Sequence, residues 1–316
     1  MNQNIFLKWE VLNLNIYIYY NIIMEQQLCI HRYLTKCKTN PQPPGFADFI
    51  RGTITLYLLS KRYNYKLLID YNSHPLFKNL EFNEEYFIMD TKICDTLEFL
   101  PPKSYQNIYN DIETLFKHNN HIIYIHTNSF YSNHGICSNF TTDEINDAKK
   151  FIINLIKPNP ELLKYYNDKF NDVLTNEYIV IHIRFHDNCF FDNNFDIPNN
   201  KIKNIVDFIN NLSIQNNQQI IIISNWKKYI NNNTFTHKNI YVSDSKPMHT
   251  GSLTRKIINS DDIELIDYLK DTLNDLLLLT NSKKNYCISQ YGGSGFSELF
   301  SNIYNIPYIN VSKILS

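Results

Sequence analysis

The residues of this chain best suited to chemistry fall into two short clusters in its C-terminal half. The first is His182-Ile183-Arg184-Phe185-His186-Asp187, placed where the apolar, β-branched run Tyr178–Arg184 gives out. A run of that kind reads as a buried strand, and His182 and Arg184, two residues apart, share one of its faces. Arginine carries a planar, permanently charged fork that suits a phosphate or diphosphate. Asp187, just past the strand, offers a carboxylate to backbone donors or to Arg184. The plainer reading of this cluster alone is a strand-end ion pair between Arg184 and Asp187.

The second cluster tilts the balance toward a phosphate site. Gly292-Gly293-Ser294-Gly295-Phe296-Ser297 follows a strand-like run ending at Ser289 and opens a helix-like one. Glycine lets a backbone approach a phosphate closely, and a helix N-terminus presents unsatisfied N–H groups at the positive end of its dipole. Ser294 and Ser297 add hydroxyl donors. The chain has only 7 glycines, and three of them fall within these four positions. A simple helix cap needs one serine and no such cluster.

Two weaker candidates remain. Asp275 lies late in the long apolar segment Asp262–Leu279, where an acid is unfavourable for the helix dipole. It reads equally as one exposed face, with Asp271 one turn before it, or as a carboxylate reaching a base or ribose edge. Near the N-terminus, Gly45-Phe46-Ala47-Asp48-Phe49-Ile50-Arg51 puts a turn glycine ahead of a helix, with Asp48 and Arg51 early in it. These could line the facing side of a binding cleft, or could be no more than a turn and a cap.

Other chemistries are disfavoured by what is missing. The sequence contains no G-x-G-x-x-G fingerprint, no Walker lysine loop, no H-E-x-x-H and no G-x-S-x-G. It also has no D-x-D to hold a metal–diphosphate, so no metal is expected, and protein cations and dipoles must stabilise any leaving diphosphate. The 6 cysteines show no C-x-x-C pair, which argues against zinc or a disulfide framework and for a reducing, cytoplasmic setting. A net charge of −1 gives no reason to expect a nucleic acid as partner. The abundance of Asn, Ile, Tyr and Lys reads as the bias of an AT-rich genome, viral or protist.

These side chains need elements to position them. Gln27–Tyr33 reads as a strand, Phe46–Tyr63 as a helix and Lys66–Tyr71 as a buried strand, which together make a βαβ unit. His121–His126 follows as a strand, and Thr142–Ile156 as an amphipathic helix capped by Thr141 or Thr142. Lys157–Tyr165, with Pro158 and Pro160, reads as a junction. Beyond it come strand Tyr178–Arg184, helix Lys201–Leu212, strands Gln219–Ser224 and Asn239–Ser243, helix Asp262–Leu279, strand Tyr286–Ser289 and helix Phe296–Tyr304. The expected fold is α/β: two Rossmann-like, doubly wound parallel sheets facing across a cleft, with domains at 24–165 and 166–316. Residues 1–23 form an extension of open meaning. Ile5–Ile23 is apolar but broken by Lys8 and Glu10, too interrupted for a firm membrane span, though membrane association stays open. One reading starts the native chain at Met24; the other gives the segment a packing role.

Taken together, three segments resemble the fucosyltransferase superfamily of the two-Rossmann (GT-B) fold, which includes nodulation, α1,6-, α1,2- and protein O-fucosyltransferases. Gly45–Asp70 is similar to that family's glycine turn, helix and L-x-I-D strand. HIRFHD at 182–187 is similar to its H-x-R-x-G-D strand end, and Asp275–Ser297 to its closing Asp, strand and Ser-x-Phe-Ser turn. The resemblance implies a metal-independent, inverting transfer from a GDP-sugar, GDP-fucose, to a hydroxyl of a glycan or glycoprotein acceptor, with no further cofactor. It places Arg184 at the β-phosphate, His182 and Asp275 at the guanine, and Ser294, Gly295, Phe296 and Ser297 around the phosphates, with Asp187 beside them. Gly45, Phe46 and Arg51 would face sugar and acceptor, and Asp48, with His186 second, is the expected proton acceptor. The sequence departs from the family pattern at Phe185 and His186 and in the extra Gly292 and Gly293. Two other readings therefore stay open: a transferase using another nucleotide sugar, and a non-catalytic nucleotide- or glycan-binding module.

Overall fold

A computed structural model of the 316-residue chain describes residues 27–33, 45–89, 98–99, 112–117, 122–128, 130, 140–171, 174, 177–186, 196–215, 218–225, 230, 234–235, 237–245 and 263–315. The N-terminal extension lies outside them, as does Asp187. The chain divides into two compact units, one made of residues 1–34, 51–73 and 83–148, the other of 35–50, 74–82 and 149–316.

In the first unit, strands β1 (Gln27–His31), β2 (Tyr65–Asp70), β3 (Phe87–Ile88), β4 (Glu98–Phe99) and β5 (Ile122–His126) form one sheet in the order β3-β2-β1-β5-β4. All its pairings are parallel. Helix α1 (Phe46–Arg62) connects β1 to β2, and its first turn belongs to the second unit. Nearly all its side chains from Gly52 to Ser60 are buried, as an almost wholly apolar helix requires. Gly52 is where α1 meets the end of β5: a Cβ there would lie 1.9 Å from the Thr127 carbonyl oxygen. Only a residue without a side chain permits that approach. A short helix, α2 (residues 112–117), packs its Phe116 ring edge-on against Tyr65.

Helix α3 (Thr142–Leu155) starts in a reciprocal capping box. The Glu144 N–H donates to Thr141 Oγ1 at 3.2 Å, and the Thr141 N–H donates to Glu144 Oε2 at 2.7 Å. The expected junction at Lys157–Tyr165 is instead a break between two helices. Pro158 ends one, Asn159 caps the next by accepting from the Leu162 N–H at 2.8 Å, and Pro160 opens α4 (Pro160–Phe170). Proline at the first helical position loses no hydrogen bond, so here it starts a helix rather than marking a loop.

The second unit holds β6 (Tyr178–Arg184), α5 (Asn199–Gln215), β7 (Gln219–Ser224), β8 (Ile240–Val242), α6 (Ile263–Thr280), β9 (Lys284–Ser289), α7 (Gly295–Ile303) and β10 (Tyr308–Asn310). Its sheet runs β10-β9-β6-β7-β8, again wholly parallel. Central β6 is buried on both sides, and its two faces feed two cores. Ile179, Ile181 and Ile183 pack with Ile205, Ile209 and Leu212 of α5, while Tyr178 and Val180 pack with Leu278 and Leu279 of α6. The apolar residues of α5 recur at three- and four-residue steps, which is why one stripe of that helix covers the sheet. With glycine scarce, α1 is followed by Asn64 at φ 59° and α7 by Asn305 at φ 55°, left-handed positions that asparagine tolerates best after glycine.

Candidate functional site

In the second unit the strand order reverses at β6: β7 and β8 lie on one side of it, β9 and β10 on the other. The carboxyl ends of β6 and β9 therefore flank a topological switch point, where open α/β sheets bind ligands. Both motif clusters converge there. Arg184 stands in register with Ser289, and the Gln290 N–H donates to the Arg184 carbonyl at 3.0 Å. The His186 N–H donates to Gln290 Oε1 at 2.8 Å, closing the two strand ends together.

Arg184 is half-buried. One guanidinium N–H donates to the Phe185 carbonyl at 3.0 Å, and the charge sits 5.8 Å from the centre of the Tyr291 ring. Exposed His186 packs against the same ring, 5.2 Å between centroids. Phe185 is fully buried in the core beside α5. Its N–H donates to Asn225 Oδ1 at 2.8 Å, and Asn225 Nδ2 donates back to its carbonyl, which fixes the backbone just past Arg184.

His182 lies on the same strand face, 8% exposed, with its ring edge-on to Phe296 at 6.1 Å. Its Nδ1 is buried and makes no hydrogen bond. Burial, helped by the neighbouring Arg184 charge, pushes His182 down to about 3, so the imidazole is neutral at physiological pH. A buried polar atom left unmatched costs about 1–3 kcal/mol, and such an atom beside a cation at a switch point is what a ligand would complete.

The glycine turn follows β9. Gly292 takes φ +78°, which a side chain resists, and its N–H donates to the Ser289 carbonyl at 3.1 Å. Asn310 of β10 donates through Nδ2 to the Gly292 carbonyl. Ser294 occupies the cap position of α7, yet its side chain makes no capping hydrogen bond. The first-turn N–H groups of Gly295, Phe296 and Ser297 are thus not met by the cap residue and remain an anion-attracting end. The Ser297 hydroxyl does not join them: it is fully buried beside the Cys287 thiol and the Tyr308 hydroxyl.

The remaining candidates scatter more widely. Asp275 is buried on α6, the helix that packs along α7. One turn earlier, Asp271 is held by Lys169 at 2.7 Å and by the Tyr165 hydroxyl at 3.2 Å. The charge on Asp271 and a hydrogen bond to it raise the Lys169 ammonium above its ordinary value, against the opposing effect of burial. Gly45 accepts from the Phe49 N–H at 3.0 Å as α1 begins. Phe46 is buried, its ring stacked on Phe300 at 6.0 Å, and Phe300 in turn meets Phe296 at 5.2 Å. An aromatic column therefore runs from His182 through α7 to the first turn of α1, which carries half-buried Asp48. Arg51 falls in the first unit, 5.8 Å from the ring of Phe130.

One polar cluster went unnoticed in the sequence. At the switch point of the first sheet, between β1 and β5, His31 and His126 lie fully buried with ring centroids 6.2 Å apart. His31 Nε2 accepts from the Thr127 N–H at 3.4 Å, which leaves Nδ1 to donate to Thr53 Oγ1 at 3.0 Å. His126 Nδ1 donates to the Arg32 carbonyl at 2.9 Å, and Arg32 forms a buried ion pair with Asp70. Burial lowers His31 well below its ordinary value, with His126 adding to the effect, and pushes His126 down to about 4. The only signal in the sequence was that both strands end in histidine.

Two parallel, Rossmann-like sheets, the second with paired motifs at its switch point, define an α/β protein of the doubly wound class. No protein-family model matches the chain, and no curated protein matches its sequence. Solved structures do match. A NodZ α1,6-fucosyltransferase, from a crystal soaked with GDP-fucose, aligns with a TM-score of 0.55 and 12% identity over 88% of this chain and 92% of its own. FUT1 of Arabidopsis thaliana, in complex with GDP, aligns with a TM-score of 0.58 and 10% identity over 92% of this chain and 73% of its own. Fucosyltransferase NodZ from Bradyrhizobium gives 0.56 and 12%, over 91% and 96%. At such identities the likeness establishes the fold. Among the described residues, no helix is long and apolar enough to cross a membrane.

Proposed function

We propose that this chain is a glycosyltransferase that transfers fucose from GDP-fucose to a hydroxyl of a glycan or glycoprotein. The observation that carries the reading is the set gathered at the β6–β9 switch point: Arg184, a neutral His182 with an unmatched Nδ1, and a glycine turn leading into a helix whose cap residue makes no capping bond. The fold supports it, because its solved neighbours include fucosyltransferases with GDP or GDP-fucose.

In the proposed reaction the acceptor oxygen attacks the anomeric carbon, the bond from that carbon to the β-phosphate oxygen breaks, and configuration inverts. Arg184 and the N–H groups opening α7 take up the charge that develops on the departing GDP, usually the largest single contribution in such chemistry. His182 hydrogen-bonds the guanine through Nδ1, with Asp275 as the second guanine contact. Asp48 accepts the acceptor's proton, with His186 as the alternative; such assistance is worth about 10²–10⁴-fold. No metal and no further cofactor is needed, since protein cations and dipoles carry the charge.

The test is calorimetric titration with GDP, UDP, ADP and CMP, on wild type and Arg184→Ala, followed by GDP-fucose turnover. Saturable binding of GDP alone, lost in Arg184→Ala, with turnover in wild type is the expected result. Preference for UDP or ADP would move the donor assignment to another nucleotide sugar. Binding without turnover on any acceptor would make the protein a binding module, and a folded protein that binds no nucleotide would overturn the proposal.

A further inference from the structure

Tyr291 has no part in the reaction as proposed, yet it stands among the residues that carry it. Its ring centre lies 5.8 Å from the Arg184 guanidinium carbon and 5.2 Å from the centre of the His186 ring, at 32° to that ring. The residue is 51% exposed. A lone exposed tyrosine is ordinary on a protein surface, but this one is pinned in place. The Gln290 N–H donates to the Arg184 carbonyl at 3.0 Å, the Tyr291 N–H to Ser289 Oγ at 3.1 Å and the Gly292 N–H to the Ser289 carbonyl at 3.1 Å. Gly292 then turns the chain at φ +78°. The turn thus holds an aromatic ring beside the end of β6, with about half of the residue facing solvent instead of the core.

A nucleotide sugar is a chain of base, ribose, two phosphates and sugar, so its parts meet a protein in that order. Along β6 and its exit the order is His182, Arg184, His186, and Tyr291 packs against the last two. With the base at His182 and the β-phosphate at Arg184, the next group is the sugar, joined to that phosphate through a single oxygen. It lies where His186 and Tyr291 stand. A sugar ring presents faces of C–H bonds, slightly positive at hydrogen, and the face of an aromatic ring is both apolar and slightly negative. Such a surface beside a few placed polar groups is the usual make-up of a small-molecule site.

We propose that Tyr291 is the platform for the transferred sugar: its ring packs on a C–H face of the fucose of GDP-fucose while Arg184 holds the phosphate that bears it. The inference rests on Arg184 binding the diphosphate, as proposed above, and adds a residue that contacts the sugar and not the nucleotide. A sugar held in this way keeps a fixed orientation at its anomeric carbon, which in-line attack by the acceptor requires.

The full chain is titrated calorimetrically with GDP and with GDP-fucose, as wild type, Tyr291→Phe and Tyr291→Ala, with melting curves to verify folding. Tyr291→Ala is expected to weaken GDP-fucose binding about tenfold, the worth of one good aromatic contact, and to leave GDP binding unchanged. Tyr291→Phe, which keeps the ring, is expected to bind both ligands as wild type does. In proton spectra of GDP-fucose exchanging with the wild-type protein, fucose signals are expected to move upfield, as protons over an aromatic face do, and Tyr291→Ala abolishes that shift. Equal losses of GDP and GDP-fucose affinity in Tyr291→Ala would show that the ring serves the base or Arg184, and would overturn the proposal. Unchanged GDP-fucose affinity in that variant, an equal loss in Tyr291→Phe, or no upfield shift with wild type would do the same. All of these leave GDP binding by wild type standing. A folded wild type that binds neither ligand instead overturns the proposed reaction, and this inference with it.

Discussion

His182 shows how a single atom can separate a structural role from a binding one. Its Nδ1 is buried without a partner, on a central strand that pairs with β7 on one side and β9 on the other. If the atom is kept for a ligand, the ligand-free protein carries its desolvation cost. Replacing His182 with Phe removes that cost and keeps the edge-on contact with Phe296. The expected outcome for His182→Phe is a ligand-free protein more stable by about 1 kcal/mol, together with at least a tenfold loss of GDP affinity. Urea unfolding and calorimetry read the two effects. A variant that loses stability and keeps its affinity would show His182 to be a plain core residue. Gly52 marks the opposite case, where geometry leaves no room for function to intervene. Gly52→Ala places a methyl carbon against the Thr127 carbonyl at 1.9 Å, and backbone must move. A loss of about 3 kcal/mol in unfolding free energy is expected, and a loss under half of that would mean that α1 slides along β5 at little cost.

At the scale of the element, the sequence was legible wherever burial and period agree. β6 and β7 are continuous β-branched runs, and they form where they were read. The two motif clusters were legible for a related reason: a strand end and a glycine turn are local patterns, and parallel register alone brings Arg184 opposite Ser289. Elements defined by pairing alone were not legible. β3 and β4 have two residues each and β10 has three, lengths at which no alternation can be seen. The polar cluster of the first unit escaped for the same reason. His31, Asp70 and His126 end three different strands and Arg32 follows the first of them, and nothing in any one strand announces the others. α4 was lost because its prolines were read as breakers; its start rests on Asn159. Asn159→Ala is expected to cost about 1 kcal/mol, the usual worth of such a cap, seen as a lower urea midpoint with an unchanged denaturant slope. A change within error would mean that Pro160 and the antiparallel bridge between Leu80 and Pro158 suffice to start the helix.

For the whole molecule, the buried histidines set the dependence of stability on acid. His31, His126 and His182 are all held neutral by burial, His126 at about 4 and His182 at about 3, against an ordinary value of 6.5. Because the folded values are depressed, the unfolded chain binds more protons than the folded one at any pH between the two. Stability from these groups is therefore complete above about pH 6.5 and drains away as pH falls toward the folded values. Each proton taken up on unfolding steepens the loss by about 1.4 kcal/mol per pH unit. Glu144, lowered by its bonds to the Thr141 N–H and hydroxyl, adds a further loss only below its ordinary value of 4.5. Lys169, raised above 10.5, changes nothing in this window. The expected result is that unfolding free energy falls steeply between pH 6.5 and pH 5, with about three protons taken up on unfolding near pH 5. The first unit holds two of the three histidines and loses more than the second. Urea unfolding at pH 7.5, 6.5, 5.5 and 5.0 measures the slope, and the histidine C2 protons followed by NMR identify the groups. A stability that stays level from pH 7.5 to 5.0, or three imidazoles that titrate near 6.5 in the folded chain, would refute the picture of a fold built around neutral, buried histidine.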